Sequence, residues 1–212
     1  MHPPRTRLST LDPATAQLVH LAASIAAGSE GELRAAVASA VASSLDPVWV
    51  EEVILQSYLF AGFPRALNAA REWRKASRRE GPSDDPGEDY GEAESWARRG
   101  EATCALVYGD SYERLRANIR NLHPALDAWM IVEGYGKVLS RSGLDLARRE
   151  LCIVAACAAL RQDRQLHSHL HGALNAGCDP SDVEGVLDVI EALVPDEDMR
   201  RFRQLFARVR RT

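Results

Sequence analysis

The sequence predicts an all-α fold made of two tandem helical repeats, and three observations carry that prediction. Alanine is abundant while aromatic residues make up only 6% of the chain, a balance that suits helix packing better than sheets. No segment shows the period-two alternation of a half-buried strand. A single offset maps one part of the chain onto another: Leu11-Asp12 recurs as Leu144-Asp145 and Asp46-Pro47 as Asp179-Pro180, both 133 residues on.

The same offset pairs Ala14 with Ala147, Leu18 with Leu151, Ala22-Ala23 with Ala155-Ala156, Ala26 with Ala159 and Leu33 with Leu166. Past the proline it pairs Val50-Glu51 with Val183-Glu184 and Val53 with Val186, without a gap. Residues 11–60 and 144–193 are therefore expected to superpose as one helical unit. The organisation read from this is a first repeat over 1–77, a charged linker over 78–109 and a second repeat over 110–212.

Helix punctuation supports that division. Asp12-Pro13, Asp46-Pro47 and Asp179-Pro180 each set a capping carboxylate before a proline at the first helical position. Ser29-Glu30-Gly31-Glu32 reads as a capping box just after Gly28, so one helix ends and another begins there. The matching turn of the second repeat should fall near Arg161–Asp163. Gly62-Phe63-Pro64 breaks the helix starting near Pro47 and launches another toward Arg79. Arg78–Glu94 is charged and contains Gly81-Pro82-Ser83-Asp84-Asp85-Pro86-Gly87, a surface linker by composition. Helical spacing resumes from Tyr112 through Leu115, Ile119 and Leu122, then Leu126, Trp129, Met130 and Val132.

Composition excludes several classes of function. With 212 residues, 46% of them hydrophobic, the chain has material for a packed core. Its 26 Lys and Arg against 30 Asp and Glu give a net charge of −4, with basic residues dispersed among acidic ones, which argues against nucleic acid and anionic membranes as partners. Met1–Asp12 has no apolar export core, and the apolar stretches are too interrupted to span a bilayer. A cytoplasmic location is expected. The cysteines, Cys104, Cys152, Cys157 and Cys178, lack C-x-x-C spacing, and small buried thiols are the plain reading.

Two residues stand out for chemistry. Glu150 lies at helical spacing with Leu146, Ile153, Cys157 and Leu160, and a carboxylate on an apolar stripe is costly without a partner. Past the next turn, His169 shares a face with Leu166, Gly172, Ala173 and Ala176. If these helices form a hairpin, the two side chains come within reach, as a proton-transfer pair or as a structural buried pair. His167 and His171, four apart, could chelate a divalent metal, but no third ligand is evident nearby and a solvated or subunit-facing pair is the alternative; neither metal nor cofactor is expected.

Arg148-Arg149-Glu150-Leu151, the alanine-rich helix after it and Gln165-Leu166-His167-Ser168-His169 running into Gly172-Ala173-Leu174-Asn175-Ala176-Gly177 resemble the signature of the carboxymuconolactone decarboxylase family, within the alkyl hydroperoxidase D-like superfamily. Glu150 and His169 fall on the family's Glu and His. The segment Glu52–Ala66, with Gly62-Phe63-Pro64 near its end, is similar to the family's other hallmark. The resemblance implies helical hairpins and ring-like oligomers, here a trimer in which each two-repeat chain replaces two subunits of a one-repeat hexamer. It also implies loss of CO₂ from a small carboxylated lactone without metal or organic cofactor. His169 is then the acid, Glu150 its orienting partner or base, and Arg148 or Arg149 an anchor for the substrate carboxylate; Phe63, in the segment that only the first repeat keeps, either forms a wall of the pocket or stabilises the pair of repeats.

This sequence departs from its relatives in ways that bear on chemistry. The alkyl hydroperoxidase branch carries a C-x-x-C before the His, where this chain has Gln162 and Gln165, so neither thiolate nucleophile nor resolving thiol stands there. At the offset, Gln17 replaces Glu150 and Ala36 replaces His169, and the second repeat has no second Gly-Phe-Pro, with Val194-Pro195-Asp196 in the region where one is expected. Each half keeps what the other lost, which fits one composite site per chain or a decayed enzyme. Three functions follow: an acid–base lyase acting on a small carboxylated metabolite, a non-catalytic ligand-binding or structural oligomer, and a thiol peroxidase using Cys152, Cys157 or Cys178.

Overall fold

The computed structural model describes residues 11–211. The remarks above on the first ten residues fall outside that range. The first repeat comprises α1 (Pro13–Ala27), α2 (Glu30–Ala42), α3 (Pro47–Ala61) and α4 (Phe63–Ser77). Between the repeats come α5 (Ala93–Tyr108), α6 (Tyr112–Leu122), α7 (Pro124–Trp129) and a π-helix, Met130–Leu139. The second repeat comprises α8 (Leu146–Ala159), α9 (Asp163–Asn175), α10 (Pro180–Val189) and α11 (Asp196–Val209). No strand occurs among the described residues.

The repeat is plain in the helix starts. Positions 13, 30, 47 and 63 recur at 146, 163, 180 and 196, each 133 residues on. The caps act as their residue types dictate: the Asp12 carboxylate accepts from the Thr15 N–H at 3.0 Å, and Ser29 and Glu32 close a reciprocal capping box. The repeats differ where α3 meets α4. Gly62 turns there with φ of +81°, whereas the offset position is Pro195, whose ring holds φ at −57°. Accordingly α10 stops early, at Val189, and a 3₁₀ turn over Glu191–Leu193 makes the connection.

The core centres on α1 packed along α8, with α3 and α10 laid across them. Ala22, Ala23 and Ala26 on α1, and their offset partners Ala155, Ala156 and Ala159 on α8, are all buried, and their small size lets the two backbones approach closely.

The expected linker over 78–109 needs correction. Residues 78–92 hold turns, including two short 3₁₀ turns, but Ala93–Tyr108 is helix and packs against the π-helix. Its inward stripe is Trp96, Gly100, Cys104 and Val107, all buried, hidden in sequence by the Glu and Arg residues between them. Contact with the π-helix is backbone to backbone. A Cβ at Gly100 would stand 2.1 Å from the Ile131 carbonyl oxygen, and one at Gly136 2.0 Å from that of Trp96, so only glycine fits on either side.

Candidate active site

Glu150 and His169 meet across the α8–α9 turn. Arg161, in the left-handed region at φ +59°, reverses the chain so that the two helices run back along each other. His169 Nδ1 lies 2.8 Å from Glu150 Oε2. Glu150 is 0% exposed and His169 5%, so the pair is direct and sealed inside the protein rather than on an open surface.

Gly172, one helical turn beyond His169, makes the contact possible: a Cβ there would sit 2.5 Å from Oε2 and 2.8 Å from a methyl of Val107. The first repeat closes the other side. Phe60, near the end of α3, meets the imidazole edge-to-face with ring centroids 5.5 Å apart. The carboxylate is only half satisfied, because Oε1 is buried with no hydrogen-bond partner among the described residues. Leaving such an oxygen unpaired costs about 1–3 kcal/mol.

Two tyrosines pack against each other within range of the Glu150 charge. Tyr135 on the π-helix is buried, Tyr108 at the end of α5 is half-buried, and their ring centroids lie 6.2 Å apart. The Tyr108 hydroxyl meets those of Tyr135 and Ser168. Burial first, and then the nearby Glu150 among other groups, push the Tyr108 phenol up to about 12; Tyr135 is raised well above its usual value by burial, the neighbouring Tyr108 and Glu150. Both phenols are thus neutral donors throughout the physiological range.

The first repeat's counterpart has no acid–base pair. Gln17 accepts from the Ser39 hydroxyl at 3.0 Å, and Ala36 is buried in place of the histidine. Ser39 stands at the offset position of Gly172. One repeat has opened space for a carboxylate; the other has filled it with a hydroxyl that binds an amide.

The remaining residues singled out from sequence lie elsewhere. Arg149 is fully buried, with Nε to the Leu144 carbonyl, one terminal nitrogen to Gln56 Oε1 at 3.2 Å, and the other to Glu52 Oε2 at 2.6 Å and the Arg141 carbonyl. Fully enclosed and with four of its five N–H groups engaged, it is out of reach as a carboxylate anchor in this arrangement. Glu52 also binds Arg141, which in turn holds Asp85, so the inter-repeat turn is tied to both halves. Arg148 lies over the Trp49 ring and binds Asp145 at 2.7 Å and the Thr15 hydroxyl at 2.9 Å. Phe63 is 64% exposed and stacks on Tyr58. The aromatic residue from the first repeat that reaches His169 is Phe60, three residues earlier.

Sequence reasoning passes over Tyr108 and Tyr135, one inside the supposed linker and one between Gly134 and Gly136. Gly172 was placed on the inward face, but nothing in its identity disclosed that a carboxylate needs its space.

All four cysteines are buried and unpaired, and burial pushes each thiol up to about 12. The His167 and His171 rings lie 5.0 Å apart, burial and then His167 lower His171, and no third metal-ligating side chain joins them among the described residues. An open groove of about 410 Å³ runs between α5 and the 139–146 segment, lined in part by Arg99, Thr103, Ser140 and Asp145. A void of about 10 Å³, room for roughly one water, lies between the repeats and is bounded by Ala22, Val53, Gln56, Phe60, Cys152 and Ala156. Glu150 and His169 line neither.

Among the described residues, no helix is long and apolar enough to cross a membrane. Peroxisomal protein 2 of Saccharomyces cerevisiae is 26% identical to this chain over 161 residues, covering 64% of the chain and 56% of that relative's own length. The chain therefore spans little more than half of that relative. The profile of the carboxymuconolactone decarboxylase family matches residues 6–75 and 124–207, the two repeats with the π-helix, and leaves out α5. On that match over both repeats, the chain belongs to the carboxymuconolactone decarboxylase family.

Proposed function

We propose that this protein is a metal-free acid–base lyase that removes CO₂ from a small carboxylated metabolite, most simply a lactone, at one site per chain. The observation that carries this reading is the sealed Glu150–His169 pair with its unpartnered carboxylate oxygen. In the reaction the bond from the carboxylate to a carbon that is α to the lactone carbonyl, or conjugated with it through a double bond, breaks; CO₂ leaves, and the electron pair is delocalised onto that carbonyl as an enolate. His169 then delivers a proton to carbon, and Glu150, bonded to Nδ1, stabilises the imidazolium form and fixes the ring. Burial strengthens both effects by excluding water. Because the pair is sealed, the substrate enters by displacing a wall, and Phe60 is the wall that touches His169.

The cysteine burial argues against the peroxidase alternative, since a thiol held near 12 is almost wholly protonated at neutral pH. A non-catalytic ligand-binding or structural role is the second reading, favoured by the closure of the site. A trimeric assembly is supported by apolar side chains left in solvent, Val48, Phe63 and Leu67 on α3–α4 and Leu122, Leu126 and Trp129 on α6–α7. The unpaired thiols support a reducing compartment, for which we take the cytoplasm.

The test is CO₂ release from carboxylated γ-lactones, with hydroperoxide reduction measured in parallel. The lyase reading expects CO₂ and no peroxidase turnover. Peroxide reduction abolished by thiol alkylation would overturn it. Catalytic silence toward the lactones, with their binding retained, would favour the second reading.

A further inference from the structure

The open groove of about 410 Å³ between α5 and the 139–146 segment falls in the size range of small-molecule sites and is separate from Glu150 and His169. Its floor is apolar, made by Leu139 and Leu144, whose side chains are otherwise buried, with Leu146 and Ala102 beside them. Arg99 and Thr103 stand four residues apart on the α5 face that bears Ala102. Leu106, one turn past Ala102 and 49% exposed, extends the apolar strip along that helix.

Charge singles out Arg99. On the opposite wall Arg141 is bound by Glu52 and Asp85, and Asp145 by Arg148, so those charges are matched. Arg99 is bound by hydroxyls alone among the described residues: Nε donates to Ser140 Oγ at 3.3 Å and one terminal nitrogen donates to Ser95 Oγ. Ser140 donates in turn to the Gly136 carbonyl, which braces the guanidinium against the π-helix. The other terminal nitrogen keeps both N–H groups without a partner among the described residues. A braced, unmatched cation beside an apolar floor suits one negative charge carried on a hydrocarbon body.

We propose that this groove binds a small monocarboxylate with an apolar body, its carboxylate on Arg99 and Thr103 and its hydrocarbon along Leu139, Leu144 and Leu146. A second negative group on the ligand would meet Asp145, which favours one carboxylate over two. The site belongs to this chain's own insertion, because α5, which supplies Arg99, Ala102 and Thr103, lies outside the residues matched by the family profile. Binding here is independent of proton transfer at His169.

Octanoate titrated calorimetrically into the full chain tests this, with octanamide as the uncharged analogue. The proteins are wild type, Arg99→Gln, Ala102→Trp and His169→Ala. Arg99 and Ala102 are exposed, so neither substitution should move the melting temperature. Octanoate should bind wild type and His169→Ala alike, bind Arg99→Gln about tenfold more weakly, and not bind Ala102→Trp, whose ring fills the groove. Octanamide should bind wild type about tenfold more weakly than octanoate does and lose nothing further in Arg99→Gln. Octanamide binding as tightly as octanoate, or undiminished octanoate binding by Arg99→Gln, would overturn the carboxylate's place on Arg99. No binding by wild type, or binding that survives Ala102→Trp, would overturn the site itself, and loss in His169→Ala would move it to the candidate active site.

Discussion

Arg148 donates from Nε to the Thr15 hydroxyl at 2.9 Å, and these two residues are related by the 133-residue offset. Equivalent positions of the two repeats touch only where the axis relating them passes, so this bond marks the pseudo-twofold between α1 and α8. The adjoining caps take part as well: Arg148 binds Asp145 at 2.7 Å and reaches the offset partner Asp12 at 3.6 Å.

Arg148→Met should therefore weaken the joint between repeats rather than ligand recognition. Since the guanidinium is partly exposed, the loss is small, about 1 kcal/mol or less. A denaturant titration should find it, and a Thr15→Val double-mutant cycle should show coupling. Unchanged stability with lost binding of a carboxylated lactone would instead make Arg148 the substrate anchor.

Gly172→Ala should separate Glu150 from His169, because its Cβ would stand 2.5 Å from the carboxylate oxygen that makes the bond. The helix itself favours alanine, so destabilisation of about 1–3 kcal/mol would come from overpacking alone. Lyase activity should fall by at least tenfold. A stabilised variant with full activity would show that the close approach is not needed.

Breaking the buried clamp should be the costliest polar change. Arg149 is fully enclosed and Glu52 nearly so, and removing one partner strands the other's charge; Arg149→Met or Glu52→Ala should each lose about 3–5 kcal/mol. The double variant Arg149→Met/Glu52→Gln should be less damaging than the single losses added together. Additive losses on thermal unfolding would contradict a coupled pair.

Acid should weaken the α6–α7 corner. Asp127 accepts from both Arg116 and Arg120, and the Arg116 bond first, then that of Arg120, hold its carboxyl below the usual 3.8. A carboxyl depressed in the folded state adds stability above its unfolded value and gives it up as pH falls through the folded one. Stability should be flat above about pH 5 and decline below 3.8, with a shallower decline in Asp127→Asn. An equally steep acid limb in that variant would place the titration elsewhere.

Much of this architecture is written in short-range chemistry. Aspartate before proline, serine three residues before glutamate, and one ungapped offset locate the helices of both repeats, because caps and small-residue packing depend on neighbours in sequence. Glu150 and His169 were legible because an apolar stripe makes a charge conspicuous. Other parts depend on contacts across the fold. Arg149 looks like any arginine in a helix's first turn until Glu52 and Gln56 arrive from α3 to enclose it. α5 hid behind its charged outer face, and Tyr135 between two glycines, of which Gly136 serves a backbone crossing rather than a turn. Phe63 carried the motif, yet the helix places Phe60 against the imidazole.

If proton transfer is confined to the second repeat, CO₂ release from a carboxylated γ-lactone under identical conditions should separate wild type, His169→Ala, Glu150→Gln and Gln17→Ala. Turnover is expected from wild type, none from His169→Ala, a strong reduction in Glu150→Gln and full activity in Gln17→Ala. Turnover that survives His169→Ala, or that disappears in Gln17→Ala, would contradict that confinement.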